Sequence, residues 1–257
     1  MPTFLDPVVF AAAMFIGMLA CLELGRRERQ RRIARAQGDA DEGIGAVEGA
    51  VFTLFGLLLA FTFSGAAARF DHRRELITQE ANAIGTAWLR IDLLPAGRQP
   101  ALRALFRDYV QARLDTWHDV SDQAATAAAG ARSAALQGRI WTSSLAAADG
   151  VQPPVANLVV PALNDMFDIT TARQAATQAH PPAAILLMLF ALGMAASLLT
   201  GYELGASRTR RVFHTLAFVV AITATVYVIM DMEYPRLGLI RIDSADQVLR
   251  DVLHGMQ

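Results

Sequence analysis

Lysine is missing from this chain: all 23 basic residues among its 257 are arginine. We read that as a bias toward G+C-rich codons, without functional content. A charge excess is missing as well. The formal net charge is −1, so bulk charge does not draw the chain to nucleic acid or to an anionic surface, and no nucleic-acid partner is expected. The single cysteine, Cys21, cannot close an internal disulfide and reads as a small packing residue inside an apolar run. Catalytic signatures are missing too. There is no phosphate loop, dinucleotide fingerprint, zinc-protease helix or nucleophile elbow. The histidines (His72, His118, His180, His214 and His254) are scattered without ligand spacing. These absences disfavour an enzyme, and neither a cofactor nor a metal is expected. No stretch alternates with period two for long enough to make a sheet.

Apolar residues are what the chain has in quantity: 54% of the total, with mean hydropathy +0.33. They gather in four windows of about span length, 8–24, 46–68, 183–204 and 212–230. The first has its arginines after it and no basic stretch before it, so it reads as a first transmembrane helix and not as a signal peptide. The second continues without proline into a charged, amphipathic stretch that runs to Leu94. At 1.5 Å per residue such a helix would reach roughly 70–75 Å. It would couple a membrane part rigidly to a part in water. The expected architecture is therefore an all-α membrane protein. Residues 1–70 form a first transmembrane hairpin, 71–180 an extramembrane helical insert, 181–235 a second hairpin and 236–257 a C-terminal tail.

Within the insert, Phe70, Ile77, Ile84 and Ile91 recur every seven residues, a coiled-coil-like seam. Pro95 and Gly97 end it. Leu102, Leu105, Phe106, Tyr109, Val110 and Leu114 stripe a helix over 101–118. Ser121 and Asp122 are candidate caps for an alanine-rich helix to about Ala147. Residues 149–154 read as a loop, and Pro161 as the opening of a helix over 162–178. The motifs Leu22-Glu23-Leu24-Gly25 and Tyr202-Glu203-Leu204-Gly205 hint that the two hairpins are copies with one orientation.

The short loop after span one carries Arg26, Arg27, Arg29, Arg31, Arg32 and Arg35, and the loop after span three carries Arg208, Arg210 and Arg211. The positive-inside rule places both loops in the cytoplasm and the insert outside. Polar groups in or beside the spans are the functional candidates, because they are costly in hydrocarbon. They are Glu48, Glu23, Glu203, Asp231 and Glu233, the last four at span ends where interfacial ion pairing explains them. In span two, Gly45, Gly49, Thr53, Gly56, Ala60 and Ser64 share one face, which suits close helix packing. Phe55, Leu59 and Phe63 follow on an adjacent face. In a ring of subunits that row would make a hydrophobic constriction.

The run Ser64–Asp71 (SGAAARFD) and the run Glu80–Ala87 (EANAIGTA) together resemble the bacterial bestrophin-like family. Supporting matches are Leu163-Asn164-Asp165-Met166, Thr171-Ala172-Arg173 and Tyr234-Pro235-Arg236-Leu237-Gly238, so the resemblance covers nearly the whole chain. It implies a multi-pass protein of the bacterial inner membrane. By the bestrophin analogy it implies a homo-pentameric, anion-selective channel whose partners are the lipid bilayer and small inorganic ions. Span two would line the pore through Glu48, Phe55, Leu59 and Phe63, with Arg69 and Arg73 raising anion concentration at its mouth. The chain departs from bestrophins in being shorter and in lacking an acidic calcium-binding cluster near its C-terminus. Bestrophins also keep their insert in the cytoplasm. The rival reading is a non-conducting scaffold whose heptad seam joins subunits or partners. A transporter built from the two hairpins ranks below both.

Overall fold

The computed structural model describes residues 6–35, 44–118, 122–149, 151–206 and 212–256. Arg208, Arg210, Arg211 and Ser121 lie outside them. Eight α-helices are described: α1 Pro7–Ala34, α2 Ile44–Arg90, α3 Gln99–His118, α4 Gln123–Ala148, α5 Pro153–Gln178, α6 Ala183–Leu204, α7 Val212–Glu233 and α8 Gln247–Gly255. There is no strand among the described residues. Four helical stretches, those carrying α1, the first half of α2, α6 and α7, are long and apolar enough to cross a membrane. The chain divides into two compact units: Met1–Ala68 with His180–Tyr234, and Arg69–Ala179 with Pro235–Gln257.

In the first unit Asp6 caps α1, accepting from the amides of Val8 and Val9, and Pro7 takes the first turn. The arginines expected in a loop after span one are helical up to Ala34. Ion pairs one turn apart carry the helix past the apolar window: Glu23 with Arg26 (2.9 Å) and Arg27 (2.7 Å), and Glu28 with Arg32 (3.2 Å). Helix α1 packs against α6 and α7. The α1–α6 crossing rests on glycine. A Cβ on Gly25 would sit 2.0 Å from the Leu198 carbonyl oxygen, and one on Gly201 would sit 2.1 Å from that of Leu22. Gly193, Ser197 and Gly201 of α6 and Gly205 at its C-cap recur every four residues, opposite Gly17, Cys21 and Gly25 on α1. The two helices run parallel, since Gly17 faces Met194 while Arg29 faces Gly205. The motif pair noted in the sequence thus lies at one contact, Gly25 against Tyr202 and Gly205 against Arg26. Cys21 packs there as a small residue, its Sγ 3.8 Å from the sulfur of Met194. Around the crossing, Met14, Met18, Phe55, Leu189, Val219, Val226 and Met230 form the apolar core.

In the second unit the heptad row closes inward. Ile77, Ile84 and Ile91 are buried in the core with Phe106, Tyr109, Ile140, Leu163 and Met166, and Phe70 packs against it. Three of the four seam residues are thus spent inside one chain, and Phe70 is partly covered. Pro161 does not open a helix: α5 begins at Pro153, and Pro161 sits inside it. Proline there removes the N–H that would bond the carbonyl of Asn157. The neighbouring Leu158 carbonyl accepts from the Arg90 guanidinium. The segment 236–257, expected as a tail, is packed in this unit over its described residues 236–256. Leu249 and Met256 on and beside α8 are buried, and Arg107 donates to the Met256 carbonyl at 3.1 Å.

Alanine at Gly25 or Gly201 must push two helix backbones apart. We expect each to lower the stability of the detergent-solubilised chain by about 1–3 kcal/mol, the range for overpacking a close contact. Gly56→Ala meets no atom within 4 Å and should leave single-chain stability unchanged or slightly raised. Denaturant titration of the three variants checks the contrast.

Candidate functional site

Helix α2 presents three faces to its surroundings in the membrane unit. One is packed: Phe55 is 3% exposed in the apolar core, Thr62 and Ala66 are buried, and Glu48 and Leu59 are half-buried. Thr62 satisfies its hydroxyl on the Leu58 carbonyl at 2.7 Å, as a polar residue in a membrane helix must. A second face is bulky and open, with Val47, Leu54, Leu57 and Phe61 all more than half exposed. The third carries Gly45, Gly49, Thr53, Gly56, Ala60 and Ser64, every one exposed, and no atom lies within 4 Å of a Cβ on the three glycines. So, among the described residues, the small-residue face expected to pack helices stays open. Phe63 stands at its edge, 42% exposed. Phe55, Leu59 and Phe63 therefore occupy a graded position, from core to open surface, and do not form one free row.

The two arginines placed at a pore mouth also separate. Arg69 is half-buried. Arg73 is 5% exposed and donates to the carbonyls of Ala176 (3.0 Å) and Ala179 (2.9 Å). It closes the C-terminal end of α5, where the last carbonyls lack helical donors and the helix dipole favours a cation. At the end of span four, Asp231 and Glu233 are buried. Tyr227 donates to Asp231 at 3.3 Å, and His180 lies 3.5 Å from Glu233.

The second unit holds a charged cluster that sequence reasoning missed. Glu80 of α2 is fully buried between two guanidiniums, Arg113 of α3 on one oxygen and Arg173 of α5 on the other. Arg236 makes a fork to Asp246, at 2.7 and 3.0 Å, and donates to the Trp117 carbonyl at 3.2 Å. Asp246 also lies 3.9 Å from Arg173, which joins the two pairs. The Trp117 ring is the hub: the guanidinium carbons of Arg173, Arg236 and Arg113 stand 4.9, 5.2 and 5.9 Å from its centre, within cation–π reach. Beside this lies a neutral network, with the Tyr109 hydroxyl 3.2 Å from Thr170 and Gln137 donating to both. Burial pushes the Glu80 carboxyl up, but the two arginine charges and their hydrogen bonds outweigh it and hold it below the usual carboxylate range. Burial and the Glu80 charge push the Tyr109 phenol up, so it stays neutral.

A signal for the cluster was present. Glu80 falls on the Ile77–Ile84 seam, Arg113 continues the Phe106–Tyr109–Val110 stripe, and Arg173 lies seven residues beyond the buried Met166. A charge on an apolar helix face is a buried-pair signal. Glu80, Arg173 and Arg236 each belong to a different segment that carries the family resemblance, and the fold brings the three together.

No group of three or more metal-ligating side chains occurs among the described residues. The architecture is that of a multi-pass, all-α membrane protein with a helical domain outside its spans. The family model described as the bestrophin-like domain matches residues 8–246, and the protein belongs to that family. No curated protein and no solved structure matches the chain.

Removing the Glu80 carboxylate leaves two buried guanidiniums without a counter-charge. Glu80→Ala should cost about 3–5 kcal/mol of stability, the range for breaking a buried pair from one side. Because its folded pKa is depressed, Glu80 stabilises the fold at and above the unfolded value of about 4.3. That contribution is lost as pH falls further, through the folded pKa. Unfolding titrations from pH 7 to pH 3 should show an acid-labile component that Glu80→Gln abolishes.

Proposed function

We propose that the protein is an oligomeric ion channel, anion-selective, with the membrane half of α2 arranged around a central pore. Membership of the bestrophin-like family supports this reading. The observation that carries it is the open small-residue face of α2. Glycines unpacked in a single chain fit a second helix at short range, because small residues let backbones approach where lipid gives no apolar driving force. In this arrangement Gly45, Gly49, Thr53, Gly56, Ala60 and Ser64 meet the neighbouring copy. Val47, Leu54, Leu57 and Phe61 face lipid. Phe63, with Leu59 and Glu48 behind it, faces the axis, and Phe63 forms the narrowest apolar ring. Phe55 belongs to the chain's own core and takes no part. Arg69 stands at the end of the span, where it raises the local anion concentration. Five copies follow from the bestrophin analogy, as does the site in the bacterial inner membrane.

The arginines of α1 and of the loop after α6 favour a cytoplasmic position for that side and an external one for the helical domain. A single cysteine at the exposed Ala134, in a Cys21→Ser background, should then react with a membrane-impermeant maleimide in spheroplasts. Labelling seen only in inverted vesicles reverses the orientation.

Purified protein in liposomes should release chloride faster than gluconate. Phe63→Ala should raise the flux, and Gly49→Leu should reduce the assembly to smaller species by native mass measurement. Absence of flux at every voltage and pH, with an intact oligomer, refutes the channel and favours a scaffold.

A further inference from the structure

The cluster around Trp117 is short of one negative charge and has two donors without acceptors. Among the described residues, four guanidiniums, those of Arg113, Arg173, Arg236 and Arg241, share three carboxylates, those of Glu80, Asp243 and Asp246. The imbalance sits inside. Asp243 and Arg241 neutralise each other at the surface, both well exposed, while Arg113 and Arg173 are 5% and 4% exposed and divide the single charge of Glu80. Arg113 spends its Nε on Glu80, and its Nη2 has no hydrogen-bond partner despite complete burial. The Trp117 indole Nε1 is also buried without one. An orphaned buried donor is costly, and more so when it carries charge. Two in one place, on side chains four residues apart on one helix face, signal an occupant.

We propose that the Arg113 Nη2 and Trp117 Nε1 groups bind a single small inorganic anion of halide size within the helical domain. The guanidinium carbon of Arg113 lies 5.9 Å from the centre of the Trp117 ring, so the two side chains are neighbours. The proposal requires one ion to accept from both groups at about 3 Å from each. Neither orphan is an acceptor, so a cation has nothing to bind. A water can accept from both donors but leaves the charge uncompensated, whereas an anion meets both demands. The ion would complete the cluster, adding its bonds on α3 to the Glu80 link between α2, α3 and α5. This inference concerns the domain outside the spans and is independent of conduction.

Bromide is the probe. Crystals of the full-length protein in detergent, soaked in sodium bromide, should show an anomalous peak within hydrogen-bond distance of Arg113 Nη2 and Trp117 Nε1. Replacing gluconate by chloride should raise the unfolding temperature of the wild-type protein in proportion to the logarithm of chloride concentration. Trp117→Phe keeps an aromatic ring beside the guanidiniums and removes the N–H together with the five-membered ring, so it should lose that shift while still folding in gluconate. No bromide at the position, a water in its place, or an equal chloride shift in Trp117→Phe overturns the proposal. Should Trp117→Phe fail to fold, the bromide peak in the wild-type crystal decides.

Discussion

The Glu80 carboxylate ties three helices of the extramembrane unit at one buried point. One oxygen is held from α3 and the other from α5, while the residue itself belongs to α2. Taking a carboxylate fully out of water is expensive, and only two guanidiniums at close range make it tolerable. That requirement sets the register of the three helices, because an apolar contact can slip by a turn at modest cost and an ion pair in a dry core cannot. Trp117 extends the constraint to the C-terminal segment, with Arg173 and Arg236 stacked on its ring and Arg236 bonded to its carbonyl. The segment after the last span is thereby fastened into this unit.

The membrane unit is organised by the opposite device, the absence of side chains. Gly25 and Gly201 let two backbones meet where a Cβ would overlap a carbonyl oxygen. Helices in lipid gain little from burying apolar surface, so this intimate van der Waals contact is what holds α1 to α6. Among the described residues, the glycines of the same kind of face on α2 meet no neighbouring helix. One pattern therefore has two uses. It is satisfied at α1–α6 by the fold of a single chain and left open on α2, the natural place for a neighbouring copy in the assembly proposed above.

Helix positions were readable where composition was regular. The four apolar windows, the alanine-rich α4 and the stripe of α3 follow from span length and from a period near 3.6 residues. Pro161 misled because proline is better known as a helix opener than as an interior residue. The interior position is tolerated here beside a carbonyl bonded by Arg90. The heptad row was a sound guide to burial and a poor one to partnership, since periodicity says that a face is covered and never by what. The packing role of the glycines of α1 and α6 is not legible in sequence, because it needs two helices to meet.

The sequence by itself determined the all-α character, the four spans, the unbroken run from span two into the amphipathic half of α2, and the family to which the chain belongs. These are local or compositional properties, set by hydrophobic length, periodicity and short motifs. Only the tertiary structure decided that the small residues of α1 and α6 pack together, that Phe55 and Arg73 are buried, and that Glu80, Arg113, Arg173 and Arg236 share one site. Those residues lie up to 93 positions apart within a single ion pair. Their juxtaposition depends on how whole helices pack, and helix packing is a sum over contacts that no local stretch of sequence contains.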